Sequence, residues 1–414
     1  MTLWQALKVL PFTLFSLATT GICGFFSGLI LGNPFLSPLG GAIVGMTVGL
    51  VFVGNLQKDG LFAEVPELPE PIVAASIVTL DDYGNTVCDG KRVLPVFLYS
   101  VPDEDLPEMV GLGFNTLFAF GNRATELGAY SINTGHWEYG AEPNYLGGIL
   151  PDEADLNWNG VDEDSLYSPA SIARRCADME AHDPGHLKIL VLNGGAGYQW
   201  WEQYVAAGPD VFMLDPYPVI SGRPLVDLAQ AMQAMRFLTD KPIWVIHQAW
   251  CSDPDGKEMP TPAENRASVY LSIVQGAKGI AWYAYRFQDR HVGEYELVRE
   301  NFPDLWTSIV QVARELAQMH EALVEPRAVE TRFVNKRLRF LERSDGENLW
   351  VISINPSERD LGSQTLALQR WLRQPGVAEV LGENRQVIVK RTGALKDTFG
   401  PLAVHIYWIP LPSD

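Results

Sequence analysis

The amino-acid sequence predicts an α/β protein: a (β/α)₈ barrel of the TIM type, preceded by a transmembrane helical hairpin and followed by an antiparallel β-sandwich domain. Three observations lead to this fold class. Short apolar runs alternate with helix-like stretches through the middle of the chain, two uncharged segments precede them, and turn-rich alternating segments follow them. The predicted boundaries are 1–58 for the hairpin, 59–72 for a linker stiffened by prolines, 73–326 for the barrel and 327–414 for the sandwich.

Seven apolar runs predict strands of the barrel. Each run is almost continuously apolar, as in parallel strands that are buried on both faces. A barrel needs eight strands, so the missing one should fall between residues 122 and 144. An open doubly wound sheet is the alternative, but no GxGxxG motif follows the first strand. The runs are LPVFLYS (94–100), NTLFAFG (115–121), YLGGILPDE (145–153), KILVLNGG (188–195), DVFMLDPYP (210–218), PIWVIHQAW (242–250) and GIAWYAY (279–285).

The helix-like stretches between these runs carry start signals. Ser168 is a candidate N-cap with proline at the next position, and Thr261 with Glu264 forms a capping-box pattern. Strand–helix units of this kind, joined by short connections, indicate a parallel sheet.

The N-terminal segments predict a membrane hairpin. Residues 9–32 and 37–54 carry no charge, and a helix needs about 20 apolar residues to cross a bilayer. Glycines recur every four residues in both segments, at 24, 28 and 32 and at 41, 45 and 49. Such faces could pack on each other or drive homo-oligomerisation. A signal peptide followed by a glycine-rich apolar stretch is the alternative.

The composition excludes some functions. Of 414 residues, 47% are hydrophobic and 20% are charged, so the chain can form a sizeable core. The net charge of −19 gives no positive surface for a nucleic-acid partner. The seven histidines show no HxH or HExxH spacing, and the cysteines match no zinc or CxxC pattern. We therefore expect neither a metal nor a cofactor. The cysteines are Cys23, Cys88, Cys176 and Cys251.

Acids, amides and aromatic residues recur at the carboxyl ends of the predicted strands, where such barrels place their active sites. Aromatic rings stack on sugar rings, and carboxylates and amides bind sugar hydroxyls, so these residue types favour a carbohydrate site. Trp200 and Trp201 could extend the stacking surface. The catalytic candidates are Glu153 and Asp215; the substrate-binding candidates are Tyr99, Asp152, Asn193, Tyr217, Gln248, Trp250 and Tyr283.

Structural roles are the alternative for several of these residues. Glu153 could cap the next helix or pair with an arginine, and Asp215 could form a turn before proline. Gln248 could be a buried amide whose hydrogen bonds are all satisfied, and His247 is expected to be a structural hydrogen-bonding residue.

The stretch 94–325 resembles the catalytic barrels of glycoside hydrolases in the large clan whose acid ends strand four. The resemblance implies that Glu153, in the place of the clan's DEP motif, is the proton donor. A neighbouring carboxylate such as Asp152 favours the protonated state that a general acid needs. The matching pieces are LPVFLYSVP, LGFNTLFAF, LGGILPDEAD, PDVFMLDPYP, KPIWVIHQAW and GAKGIAWYAY.

Two departures from the clan leave alternatives open. DEAD replaces DEP, and Gln248 stands where the clan has a nucleophilic glutamate on strand seven. Asp215 could then act as base or nucleophile, or the substrate's own acetamido group could assist. The third alternative is a catalytically inactive barrel that binds sugars or serves as a scaffold.

The membrane side of the large domain is open at this point. Lys8 and Lys58 flank the hairpin, which by the positive-inside rule favours the cytoplasm, whereas a polysaccharide-acting domain favours the periplasmic or extracellular side. We favour a membrane-anchored glycoside hydrolase that faces outward and acts on a glycan. The C-terminal unit is expected to support the barrel structurally rather than to bind sugar.

Overall fold

The computed structural model describes residues 74–119, 122–134, 141–194, 198–252, 258–288, 295–369 and 376–411. The predicted membrane hairpin and the linker lie outside these residues. Within the part of the chain that is described, no helix is both long enough and apolar enough to cross a bilayer. Residues 71–414 form one compact unit, and the following description concerns that unit.

Eight parallel strands form the barrel. Seven of them, from Thr116–Phe118 to Ile280–Tyr283, follow one another in chain order around the sheet, and the last then pairs with Val96–Leu98. The seven runs expected from the sequence are confirmed as strands, and the missing strand is Tyr130–Thr134, within the predicted interval. The strands are β4 (Val96–Leu98), β5 (Thr116–Phe118), β6 (Tyr130–Thr134), β7 (Tyr145–Ile149), β8 (Leu187–Leu192), β9 (Val211–Leu214), β10 (Ile243–Gln248) and β11 (Ile280–Tyr283).

The barrel closes between β4 and β5 without a regular ladder. The backbone N–H of Asn115 donates to the carbonyl of Val96 at 3.2 Å. The Asn115 side chain completes the seam, because its Oδ1 accepts from the Val96 N–H and its Nδ2 donates to the Leu94 carbonyl, both at 2.9 Å. The side-chain amide of Asn115 therefore forms two of these three hydrogen bonds, in place of a regular backbone ladder.

Both faces of the barrel strands are buried. Alternate residues such as Phe97, Met213 and Trp244 fill the interior, while residues such as Leu214 and Val245 face the surrounding helices. This double burial explains the continuous apolar runs. A small antiparallel sheet covers the interior, because its side chains pack on the same cluster; its strands are β1 (Val78–Leu80), β2 (Thr86–Cys88) and β3 (Lys91–Val93).

Helices surround the barrel, and the predicted start signals are confirmed. The Ser168 hydroxyl accepts from the N–H of Ser171 at 3.1 Å, and Thr261 forms a complete capping box with Glu264. The helices are α1 (Leu106–Gly111), α2 (Arg123–Glu126), α3 (Ala154–Asn157), α4 (Pro169–His182), α5 (Trp201–Ala206), α6 (Val226–Leu238), α7 (Pro262–Val274), α8 (Val298–Asn301), α9 (Pro303–Gln318) and α10 (His320–Leu323); β12 (Arg286–Gln288) and β13 (Tyr295–Leu297) form a hairpin before α8.

The C-terminal strands form one antiparallel sheet of eight strands. They are β14 (Arg332–Phe333), β15 (Arg339–Ser344), β16 (Asn348–Ile354), β17 (Gly362–Ala367), β18 (Gly376–Val380), β19 (Arg385–Val389), β20 (Ala394–Phe399) and β21 (Val404–Pro410).

This sheet corrects the predicted sandwich. The antiparallel pairing is as expected, but the strands curl into a single sheet, so that its edges approach each other. Arg332 on β14 donates to the carbonyl of Ala367 on β17, and the N–H of Gln369 donates to Glu342 at 2.9 Å. Curling lets one sheet enclose its own apolar core, and a second sheet is not needed.

The outer face of the curled sheet packs on the barrel. Trp350, Ile352 and Ile406 belong to the same apolar cluster as the outer faces of the barrel strands and helices. Their neighbours Leu349 and Val351 face the sheet's own core instead. Strand β16 is therefore apolar on both faces and joins the two cores.

Candidate active site

A cleft of about 1110 Å³ opens at the carboxyl ends of the barrel strands. Eight of the nine side chains selected from the sequence line it: Tyr99, Asp152, Glu153, Asn193, Asp215, Tyr217, Trp250 and Tyr283. They come from six different strands of the barrel and meet because parallel strands present their carboxyl ends at one face.

Glu153 lies at the end of the segment that follows β7, in an unusual backbone conformation. Its φ of +45° and ψ of +50° are left-handed, a region that costs non-glycine residues energy and is often found at functional sites. Glu153 occupies the N-cap position of α3, yet its side chain makes no capping hydrogen bond. The capping alternative considered from the sequence therefore does not account for this carboxylate.

Glu153 instead hydrogen-bonds two side chains of neighbouring strand ends. Its Oε1 accepts from Nδ2 of Asn193 at 2.5 Å. Glu153 also forms a hydrogen bond with Asp215. This bond raises the pKa of Asp215, because protonated Asp215 is the donor and Glu153 the acceptor. The two predicted catalytic carboxyls are thus in direct contact.

Asp215 is the more deeply buried member of the pair, with 4% of its surface exposed. Burial raises the pKa of Asp215 well above its usual range, and the charges of Glu153, Asp152 and Asp155 add to this shift. Its Oδ1 is buried and has no hydrogen-bond partner among the residues described. Asp215 is therefore suited to hold a proton at neutral pH.

Asp152 lies beside the pair at the cleft rim. Desolvation within the cleft and, to a smaller extent, the charge of Glu153 raise the pKa of Asp152 to about 6. The backbone N–H of Glu153 donates to Asp152 and acts in the opposite direction. The carboxyl of Asp152 thus serves both as part of the lining and as a partner for the local backbone.

Five aromatic rings form a continuous wall of the cleft, which we call the aromatic arc. Successive ring centroids in this arc lie between 5.3 and 6.3 Å apart, typical of edge-to-face and tilted contacts. Asp152 and Glu153 lie at the end of β7, which carries no ring of the arc, whereas Asp215 lies at the end of β9, two residues before Tyr217. In order around the mouth, the arc contains Phe118, Tyr99, Tyr283, Trp250 and Tyr217.

Gln248 is the one selected residue that does not line the cleft. Its Oε1 accepts from the N–H of Ile220 at 3.1 Å, and its Nε2 donates to the carbonyls of Trp250 and Glu258 at 2.9 and 2.7 Å. Because backbone groups occupy both ends of the amide, Gln248 holds the loops that carry the cleft wall. The amide of Gln248 is buried, with 5% of its surface exposed.

The other residues considered from the sequence lie away from the cleft. His247 is buried, its ring lies 3.3 Å from the Ser272 hydroxyl, and burial lowers its pKa to about 3. Trp201 is fully buried in the core. Trp200 packs edge-to-face on Trp158, with ring centroids 5.0 Å apart.

Sequence reasoning missed several residues of the cleft. Tyr167, Arg175 and Ser221 lie on loops or a helix beyond the strand ends, where no periodic pattern marks them. Ser100 and Phe118 lie within two of the predicted strand runs but were not selected. Arg175, on α4, is the cleft's cationic lining residue among those described, and Phe118 completes the aromatic arc. The missed lining residues with polar or aromatic side chains are Ser100, Phe118, Thr134, Tyr167, Arg175, Ser221 and Phe287.

Comparisons with known proteins bear on the fold. No protein-family model matches the chain, and no curated protein matches its sequence. Among solved structures, an α-amylase from Geobacillus thermoleovorans in complex with acarbose aligns with a TM-score of 0.50 and 9% identity, over 75% of this chain and 92% of the amylase. A GH30 endoxylanase from Clostridium papyrosolvens C71 aligns at 0.45 and 12%, over 78% and 97%. A family 30 subfamily 8 xylanase from Clostridium acetobutylicum aligns at 0.45 and 9%, over 77% and 95%. At 9% identity, the likeness to the α-amylase shows a shared barrel fold alone.

Proposed function

We propose that this chain is a glycoside hydrolase acting on a polysaccharide or glycan, with Glu153 and Asp215 as its catalytic pair. The observation that carries the proposal is the contact between these two carboxyls inside a cleft walled by the aromatic arc. Aromatic rings offer stacking surfaces for sugars, and the paired carboxyls offer a proton for the glycosidic oxygen.

The proposed reaction uses one proton held by the pair. Asp215 holds the proton and donates it in a hydrogen bond to Glu153, which is the more exposed of the two. Asp215 passes this proton to Glu153, and Glu153 delivers it to the glycosidic oxygen as the bond from that oxygen to the anomeric carbon breaks. Water then adds to the anomeric carbon and returns a proton to the pair.

The closeness of the pair bears on the nucleophile. Carboxyls about 5 Å apart imply retention of configuration, and about 6.5–9.5 Å imply inversion. A direct hydrogen bond is shorter than either separation, so Asp215 in this position is not placed across the sugar from Glu153. We therefore favour attack by water or by an acetamido group of the substrate over attack by Asp215.

Reducing-end release from a glycan panel tests the proposal. The panel contains neutral glucans, xylans and N-acetylated glycans, and the full-length protein is compared with Glu153→Gln and Asp215→Asn. Each substitution should lower kcat by about 10²-fold or more, since general acid catalysis contributes roughly 10²–10⁴-fold. Asp183→Asn, which alters a buried acid in a pair with His186 away from the cleft, is the control. Activity that survives both cleft substitutions would remove the pair from the mechanism.

Carbohydrate binding without hydrolysis is the second candidate. Gln248 favours this candidate, because it places an amide where the hydrolases that this sequence resembles have a nucleophilic glutamate. Under this candidate, glycans bind the wild-type protein in affinity electrophoresis, but no reducing ends appear with any member of the panel.

We also propose that residues 9–54 anchor the protein in a membrane, with the large domain facing the periplasm or the exterior. The support is the uncharged character and glycine spacing of the two segments. Protease protection of intact cells tests the orientation: the large domain should be digested from outside. Recovery of the protein in the soluble fraction after lysis would contradict the anchor.

A further inference from the structure

We propose that Asp155 is a positioning residue, which fixes Glu153 in the catalytic pair through Asn193 and sets the electrostatic field around Asp215. This inference rests on the proposed function. Asp155 does not line the cleft; it lies in α3, directly behind the pair, with 7% of its surface exposed. Asp155 does not end a predicted strand and belongs to no motif, so the sequence does not mark it as a site residue.

Both oxygens of Asp155 are occupied by donors from two different elements. Oδ1 accepts from the backbone N–H of Asn193 at 2.7 Å, and Oδ2 accepts from Nε1 of Trp201 at 2.7 Å. Asn193 in turn donates its side-chain Nδ2 to Glu153 at 2.5 Å. A continuous chain of hydrogen bonds therefore runs from the core indole through Asp155 and Asn193 to Glu153.

The core holds the far end of this chain rigidly. Trp201 is fully buried, and Tyr204 on the same helix donates to the carbonyl of Ala154, immediately before Asp155, at 2.9 Å. Helix α5 therefore forms hydrogen bonds to two adjacent residues of α3, Ala154 and Asp155. Side chains locked in this way hold their partners within the narrow tolerance that catalysis requires.

A carboxylate at this position does more than an amide could do. Two oxygens accept from two donors at once, whereas an amide offers one oxygen. No cationic side chain pairs with Asp155 among the residues described, so its charge is left to act on its surroundings. That charge opposes ionisation of Asp215, and burial raises the pKa of Asp155 itself to about 6.

Other groups act on Asp215 as well. Glu153 and Asp152 face it from the end of β7, and their charges raise its pKa. Tyr217 follows it on the same loop, and Tyr99 faces it from the end of β4; both are coupled to its charge. Asp155 differs from all of these because it reaches the pair from outside the cleft and cannot touch a substrate there.

The test compares Asp155→Asn with wild type and with Asp183→Asn, the buried acid that the proposal leaves out. Asp155→Asn should lower kcat about 10- to 100-fold, because that is the effect of losing one hydrogen bond to a charged group. KM should change little. Removing the charge lowers the pKa of Asp215, so the alkaline limb of the pH–rate profile should move to lower pH. Asp183→Asn should leave both the profile and kcat unchanged, even where it lowers the melting temperature.

Trp201→Phe is the second variant, in case Asp155→Asn does not fold. It keeps the carboxyl of Asp155 but removes one donor, so Asp155 binds its own proton more readily. The alkaline limb should move in the same direction by a smaller amount. A wild-type profile and kcat in whichever of these variants fold would overturn the inference.

The outcomes separate this inference from the proposed function. Loss of activity in Glu153→Gln and Asp215→Asn, with a normal profile in Asp155→Asn, removes only the role of Asp155. If wild type hydrolyses no glycan, the infrared band of the protonated carboxyl of Asp215, identified by its loss in Asp215→Asn, provides the readout. That band should titrate at lower pH in Asp155→Asn, and an unmoved titration would overturn the inference.

Discussion

Asp215 shows how one residue can favour chemistry at the expense of stability. Its pKa is raised in the folded protein, so the folded state binds this proton more tightly than the unfolded chain does. Stability from this group is therefore fully present at low pH and is lost as the pH rises from the unfolded value near 4 toward the folded value. Above that range the buried site must hold a charge, and no cationic side chain among the described residues pairs with it.

Asp215→Asn should raise the melting temperature at pH 8 while it lowers activity. The amide cannot ionise, and its N–H can still donate to Glu153 in place of the carboxyl proton. The stability gain should shrink as the pH falls toward 4. Calorimetry of both proteins across pH 4–8 measures this difference. A gain that is constant with pH would contradict the assignment of the proton to Asp215.

Gln248 and Asp155 mark the limit of residue-level prediction. Gln248 ends a predicted strand and was therefore expected at the rim, whereas no pattern in the sequence marks Asp155. What separates them is the position of loops and helices that carry no periodic pattern: Ile220 and Glu258 satisfy Gln248, while Trp201 and Asn193 satisfy Asp155. Such partners are distant in sequence and become neighbours only in the folded chain.

Strands β7 and β8 position Glu153 and Asn193, and their close approach depends on Gly147. A Cβ at residue 147 would lie 2.2 Å from the carbonyl oxygen of Leu187 on β8. This neighbour is backbone and cannot turn aside, so the strands would have to separate.

Gly147→Ala should therefore cost about 1–3 kcal/mol, the range for overpacking, and should also lower kcat. Chemical denaturation and the reducing-end assay measure the two effects. Gly111→Ala is the control: nothing lies within 4 Å of its added Cβ, and alanine suits its position in α1. A stable, fully active Gly147→Ala would show that the spacing of β7 and β8 is unimportant to the site.

Most barrel strands were predictable because double burial gives long apolar runs. Strand β6 was not, since Ser131 and Asn133 are polar residues that are buried within it. The register between β6 and β7 also shifts between Ser131 and Ile132. The curling of the C-terminal sheet was hidden for another reason: alternating patterns mark antiparallel strands but do not say which strands are neighbours.

At the scale of the whole molecule, the curled sheet and the barrel should unfold together. Ile352 faces the barrel cluster and Val351 faces the sheet's own core, so adjacent residues report on the two cores. Ile352→Ala should cost about 2–5 kcal/mol, and Val351→Ala somewhat less. Both should lower one shared transition, followed by circular dichroism and tryptophan fluorescence. Two separate transitions, with Val351→Ala affecting only one, would show independent domains.

The seam between β4 and β5 has a consequence for the mouth of the barrel. Because the amide of Asn115 bridges these strands in place of a full ladder, the wall is easiest to part along this line. Tyr99 and Phe118 stand directly above it, one at each strand's end. A small separation of these two strands would increase the distance between the two rings and widen the cleft for a larger ligand. The hydrogen-bonded ladders between the other barrel strands would stay intact.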